Sequence, residues 1–396
     1  MGDIMTDVAS HSDLTPFADL PAALVEEVLG KTSEIVDDFL RPLKEISNDR
    51  DELRKRLYEK VQVIRESSLG SPQIPTTCAS DGSYAIERLL TTDLAAAAAV
   101  AVEGLTPPSE KRHWNLPHHR TFICAEPHSE DTATVLRAVM LGEELRLATE
   151  APHDLVMIDG TLTLPIIYFN QALNAAPQKK ESPSSTRFVQ DCLDYLQAYL
   201  TLLGAKRSDK QYVGLPKYST RREIGNFLQW PTKYDDRGML TLLLEPGELT
   251  DPLPIEHPRD NQGNPTWHLD TARLPDDIRE RAKELADQIV SAIEGVHVFY
   301  YKPYEWLPAL RVELPSAVAK NQYRLATVVH GLKHQTATPS ILEPYPIYLA
   351  DRMVKALARA MPAFRQVTTQ RISERYNGNI GEVFFAMHSY RSESGV

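Results

Sequence analysis

Two aspartates end apolar, strand-like runs in the same manner: Asp81 in "TTCASDGSYAI" and Asp159 in "HDLVMIDGTLTLP". Asp-Gly is a strong hairpin signal because both residues tolerate positive φ, so each triplet taken alone reads as a turn. The other reading puts both carboxylates in one site. A carboxylate at the end of a buried strand must be paired or must bind a cation, because an isolated buried charge is very costly. Two of them side by side repel unless a metal ion or a proton lies between. The segment joining them offers a third. Glu144 has Met140, Leu141, Leu147 and Ala148 as its three- and four-residue neighbours, so on a helix it projects from the apolar face. Glu143, flanked in the same sense by Val139 and Arg146, suits the helix boundary better. Asp81, Glu144 and Asp159 would form an all-oxygen cluster, which suits Mg²⁺ or Mn²⁺ rather than zinc. Such ions activate water and stabilise the leaving oxygen in phosphodiester hydrolysis, often as a pair.

The elements around these residues must bring them together. From residue 77 the pattern predicts a strand through Asp81 to Ile86, a second in the Ala/Val-rich segment at 93–105, and a third in "RTFICAE". The alanine run has helical propensity, but strand candidates flank it and a strand is expected. "SEDTATVLRAVMLGEELRLATE" predicts a helix with Ser129 or Asp131 as N-cap and Pro152 just beyond its end. "HDLVMID" follows as a buried strand. Three strands, a crossover helix and a fourth strand parallel to the first open a ribonuclease H-like α/β fold, a mixed sheet flanked by helices. That order sets Asp81 and Asp159 on neighbouring central strands.

Ahead of this core, residues 21–67 are charged with apolar positions at helical spacing, broken near Gly30 and Pro42. They predict two or three helices, forming either a coiled-coil-like dimer arm or a packed accessory bundle. The boundary between an N-terminal helical arm (1–70) and the core (71–396) is drawn at "GSPQIP". Residues 174–186 and 250–267 read as long loops within the core, 274–295 as a helix, and the segment after Pro346 as a terminal helix.

With 396 residues, 42% hydrophobic and 24% charged, the composition is that of a globular protein with a sizeable core. The acidic, polar opening "MGDIMTDVASHSDLTPFADL" has no basic region followed by an apolar stretch, so a cytoplasmic chain is expected. Met-Gly with Thr6 fits a myristoylation pattern only formally. The longest apolar run, Leu94 to Val102, is too short to span a bilayer. Cys78, Cys124 and Cys192 lack metal or disulfide spacing and read as buried thiols. His118, His119 and His128 cluster in sequence, but adjacent strand residues point to opposite faces and make a poor metal site. With 43 basic and 54 acidic residues, the net charge of −11 works against non-specific attraction to nucleic acid. Any DNA contact must be local or delivered by a partner.

Taken in order, "DGSYAIERL", "VAVEGL", "EELRLA" before "DLVMIDGTL", "VGLPKYSTRR", "MLTLLLEPGELT", "VHVFYYKP" with "LRVELP", and "EPYPIYLADRM" resemble the NurA nucleases over most of residues 77–365. The resemblance implies a homodimeric, manganese-dependent, ribonuclease H-like nuclease that cuts DNA with 5′ to 3′ polarity. It also implies a partner, the hexameric HerA ATPase, in DNA end processing or, in some bacteria, phage defence. The family's strand aspartates fall on Asp81 and Asp159, its helix glutamate on Glu144, and a tyrosine on Tyr345. Where many members carry a histidine eight residues later, this chain has Met353, grouped with Ala350, Val354 and Leu357 on an apolar helix face.

Lys217, Arg221 and Arg222 follow a short apolar run and suit a phosphate-contacting loop. Arg311 is a further DNA-binding candidate, although it shares a strand face with Glu313, as in a salt-bridged pair. The expected function is therefore a metal-dependent deoxyribonuclease. The missing histidine keeps a catalytically idle scaffold of the ATPase open as a second class, and the same chemistry would also serve an RNA-directed nuclease.

Overall fold

The computed structural model describes residues 20–231, 234–263 and 266–395, so the Met-Gly motif and most of its acidic surroundings lie outside the described residues. The predicted N-terminal helices are α1 (Ala22–Asn48) and α2 (Arg50–Lys60). No break occurs at Gly30 or Pro42, contrary to the sequence expectation: α1 runs through both. Along an exposed helix the carbonyl freed by a proline can be met by water, and one glycine costs only about 1 kcal/mol. Most apolar side chains of α1 are exposed, including Leu29, Val36, Phe39 and Leu43.

The chain forms two compact units, one ending at Glu59 and the other running from Lys60. The second thus begins before the boundary drawn at residue 70, because β1 (Val63–Arg65) pairs with a strand of the core at Glu248–Thr250. Its centre follows the predicted order. An antiparallel meander, β2 (Thr77–Leu89), β3 (Asp93–Glu103) and β4 (His118–Glu126), leads into the crossover helix α3 (Thr132–Glu150), and β5 (Leu155–Ile158) returns parallel to β2. After α4 (Leu164–Ala175) and α5 (Pro183–Gly204), β6 (Gln211–Gly214) adds a further parallel strand. Residues 174–186 are accordingly not a long loop. They hold the end of α4, a 3₁₀ turn, and the start of α5, where the Ser182 side chain caps the helix by accepting from the Ser185 N–H.

An antiparallel wing follows: α6 (Glu223–Leu228), α7 (Asp236–Leu243), β7 (Glu248–Thr250), β8 (Leu253–Pro254), α8 (Asp276–Ile293), β9 (Val296–Lys302) and β10 (Leu310–Pro315). The chain closes with α9 (Ser316–Ala319), α10 (Gln322–Gln335), α11 (Tyr345–Arg375), α12 (Ile380–Ala386) and β11 (Ser389–Gly395). The sheet runs β1-β7-β9-β10-β6-β5-β2-β3-β4, with β8 on β9 and β11 on β2. This is the ribonuclease H-like mixed sheet flanked by helices.

Two features of β2 shape the site. Alternate residues face opposite ways: Gly82 lies against Met140 of α3, whereas Ala85 and Leu89 pack with Leu357 and Met361 of α11, so the two helices cover opposite faces. Small side chains let both approach, which is why the alanine run of β3 is a strand despite its propensity. Along its edges, β2 pairs with β3 on one side, while β5 (at Thr77–Ser80) and β11 (at Tyr84–Leu89) share the other. Asp81 falls in the gap between them. No helix among the described residues is long and apolar enough to cross a membrane.

Candidate metal centre

Ser80 pairs with Ile158 in parallel register, so the next residues, Asp81 and Asp159, come side by side where β5 ends. The first Asp-Gly is not a turn. It lies within β2, and its glycine serves the approach of α3: a Cβ on Gly82 would stand 2.7 Å from Met140 Cγ and 3.3 Å from Glu144 Oε2. The second does bend the chain, with Gly160 at φ +123° directly after Asp159. That bend is held from β10, where Glu313 Oε2 accepts from the Leu162 N–H at 3.0 Å and from the Thr161 hydroxyl.

Glu144, almost fully buried, faces Asp81 and Asp159. Its neighbour Glu143 is equally buried but turned to a different set of partners. It accepts from Arg187 at 2.7 Å and Tyr195 at 3.0 Å, with Arg120 and Arg146 close by. Those arginines neutralise it, whereas Glu144 feels the charges of Asp81 and Asp159. The carboxylates whose ligand oxygens lie within 4.8 Å of one another are Asp81, Asp159 and, from α11, Asp351. The Lys217 ammonium stands at the same place, 2.8 Å from Asp159, 3.0 Å from Glu343 and 3.1 Å from Asp351. Lys355, one turn along α11, also pairs with Asp351 at 2.8 Å.

The charges are unevenly served. Burial, then the charge of Asp159, pushes Asp81 up to about 8, although the Gly82 N–H donates to its Oδ1 at 2.8 Å. Glu144 is raised well above the carboxylate range by burial and then by Asp81 and Asp159. Burial also raises Asp159, against the pull of Lys217. Asp351 goes the other way: burial works to raise it, but Lys355 and Lys217 hold it below its ordinary value. Asp81 Oδ2 and Glu144 Oε1 are buried with no hydrogen-bond partner. Buried oxygens left so are rare, and carboxylate donors alone suit a hard divalent cation of the Mg²⁺ or Mn²⁺ type. The residues present therefore fit such an ion.

The remaining candidates divide. Tyr345 is half-buried in the first turn of α11, the helix that carries Asp351. Met353 does not join the apolar face of α11 as expected; it is 41% exposed, while Ala350 and Val354 are buried. Arg221 is exposed on the loop after β6. Arg222 is spent on the chain itself, donating to the carbonyls of Tyr234, Trp230 and Pro231. Arg311 is not available to DNA. It is buried, with both NH groups 2.8 Å from Glu223 and its Nε 3.1 Å from Glu313 Oε1. The salt-bridged face foreseen for β10 is real, but α6 covers it. Asp351 and Glu343 went unseen in the sequence. Asp351 lies four residues after Ile347 and three before Val354, both buried, so helical periodicity alone puts it on the inward face.

A ribonuclease H-like sheet with acidic groups converging where its parallel strands end defines the class of protein. A model of the NurA domain matches residues 75–356, the greater part of the chain, and the chain belongs to the NurA family. Its fold is like that of the NurA nuclease from Sulfolobus solfataricus, at a TM-score of 0.50 and 13% identity, covering 86% of this chain and 99% of that one. It is equally like a structure of NurA with manganese, at a TM-score of 0.50 and 14% identity, covering 88% and 99%. No curated protein matches the sequence.

Proposed function

We propose that this NurA-family chain is a metal-dependent deoxyribonuclease, with Asp81, Glu144 and Asp159 holding Mn²⁺ or Mg²⁺. The observation that carries the reading is the convergence of Asp81 and Asp159, with Asp351, within 4.8 Å, together with buried, unpartnered oxygens on Asp81 and on Glu144, which feels both aspartates. A divalent ion held there would supply activation of a water molecule and stabilisation of the oxygen that leaves phosphorus. The protein supplies the rest. Lys217 meets the scissile phosphate from the Asp159 side, Tyr345 orients it from the start of α11, and Arg221 contacts the backbone outside the centre. The fit of the donor set to manganese agrees with the manganese of the similar NurA structure.

The finer reading is a 5′ to 3′ exonuclease working in the cytoplasm with a HerA-type hexameric ATPase in DNA end processing or phage defence. A net charge of −11 supports the partner, since the chain alone offers DNA little attraction. The exposed apolar side chains of α1 support pairing of two copies through the arm. The test is cleavage of linear duplex DNA with Mn²⁺, with the ATPase present and absent, alongside an RNA duplex. Loss of DNA cleavage on Asp159→Asn supports the reading. No product with or without the ATPase leaves the idle scaffold instead, and preference for RNA changes the substrate.

A further inference from the structure

We propose that a basic cavity between α5 and α8 is a second binding site, for a small phosphate-bearing ligand of nucleotide size, and that it binds independently of the metal centre.

The cavity encloses about 420 Å³, within the roughly 300–1,000 Å³ that small-molecule sites occupy. Four cationic side chains line it from three segments: Lys179 and Lys180 from the turn before α5, Arg273 from the loop before α8, and Arg279 from the first turn of α8. In a chain of net charge −11, cations gathered in one place select for an anion. The fold answers only part of their charge. Lys179 is held by Asp131 at 2.5 Å, and Arg279 by Asp276 at 2.6 Å. Arg273 instead donates to a neutral group, the carbonyl of Asn174, at 2.8 Å. Lys180 is exposed and enters no ion pair among the described residues. A phosphate that accepts from Lys180 and Arg273 gains charge-assisted hydrogen bonds, which are the strong ones.

The rest of the lining suits a ring carried by that phosphate. Val189, Leu274 and Pro275 give apolar walls. The Thr186 hydroxyl and the Gln190 amide, four residues apart on one face of α5, add directional donors and acceptors. Cations that converge on one enclosed volume fit the compact charge of a free phosphorylated molecule better than the extended backbone of a polymer.

The cavity also stands apart from the metal centre. Asp131, the partner of Lys179, immediately precedes α3, and Glu144 lies twelve residues beyond Thr132 on that helix. At about 1.5 Å per residue this separates the two by ~18 Å along the helix axis.

The test is calorimetric titration of ATP into the full chain with EDTA present, repeated in competition with inorganic pyrophosphate, with melting curves confirming that each variant folds. ATP is expected to bind the wild type and Asp81→Asn equally, and pyrophosphate to compete for the same site. The double variant Lys180→Glu with Arg273→Glu should weaken ATP at least about tenfold, because two donors to a charged group are lost. Lys180→Arg with Arg273→Lys should retain it. No binding by the wild type, unchanged affinity in the charge-reversed variant, or failure of pyrophosphate to compete overturns the proposal. Loss of ATP binding in Asp81→Asn overturns it too, by placing the nucleotide at the metal centre. Displacement of ATP from the wild type by a short single-stranded oligodeoxynucleotide overturns the small-ligand reading and makes the cavity a DNA contact. Mn²⁺-dependent cleavage by the charge-reversed variant, expected at the wild-type rate, keeps each of these failures distinct from failure of the metal site.

Discussion

Asp81 titrates against its surroundings, and this gives the cluster a signature in stability. Burial and then Asp159 push it from its ordinary value up to about 8, so the folded chain holds that proton more tightly than the unfolded one. The sign follows from linkage: the advantage is full below the unfolded value near 4 and is lost as pH rises through about 8. Without metal, the wild type should therefore lose stability across that window, with a slope approaching ~1.4 kcal/mol per pH unit for one retained proton. Asp81→Asn should flatten the slope, raise metal-free stability near pH 8, and remove most of the stabilisation that Mn²⁺ brings. Melts at stepped pH with EDTA and with Mn²⁺ measure all three; equal slopes in the two proteins would refute the strained cluster. Cleavage by the variant should fall well beyond the roughly 10–100-fold that removing a group behind a metal ligand costs. The placement of Asp81 and Asp159 on neighbouring strands and of Glu144 on the buried face of α3 was legible in the sequence because strand ends and helix faces are local patterns. Lys217 was read as a candidate phosphate contact, and its pairing with Asp159 was not foreseen, since nothing local brings the loop after β6 to that strand end. Arg311 failed for the same reason: its strand face was right, but α6, which buries it, arrives from elsewhere in the chain.

The meeting of β2 with α3 is where element packing and chemistry coincide. Gly82 has no room for a methyl group, with Met140 Cγ 2.7 Å from where its Cβ would stand. Gly82→Ala must push α3 outward or force Met140 out of its rotamer, at a cost of ~1–3 kcal/mol. Because Glu144 is one turn further along the same helix, the shift should also weaken Mn²⁺ binding and cleavage. Melting temperature and the Mn²⁺-induced shift should fall together in this variant. A destabilised protein with an unchanged Mn²⁺ shift would show that Glu144 does not depend on this contact. The same contact explains how the sequence could be misread: Asp-Gly signals a turn through the glycine's freedom of φ, whereas here the glycine serves through its missing side chain. Other elements were readable to the extent that their causes were local. The meander, crossover helix and parallel return came out as expected, the alanine strand included. Strand β11 did not, because a polar "SYRSESG" segment gains its strand from pairing with β2, far away in sequence.

For the molecule as a whole, charge sets the terms on which it meets DNA. The chain carries 43 basic residues against 54 acidic ones, and several of its arginines, Arg311, Arg187 and Arg222 among them, are already engaged within the fold. Among the candidates for phosphate contact this leaves Arg221 and, at the centre, Lys217. Each phosphate contact contributes about −0.9 to the slope of log K against log salt on duplex DNA. Two contacts on an acidic body predict weak binding with a shallow slope for the isolated chain. An ATPase partner that encloses DNA would add contacts of its own, steepen the slope and raise cleavage by at least tenfold, a gain of about 1.4 kcal/mol or more. Fluorescence anisotropy on a labelled linear duplex over a range of salt, run with and without the ATPase and paired with Mn²⁺-dependent cleavage, measures both quantities. A steep slope and full cleavage by the isolated chain at physiological salt would mean that this acidic surface conceals a DNA-binding face of its own, and that the partner is not what delivers the substrate.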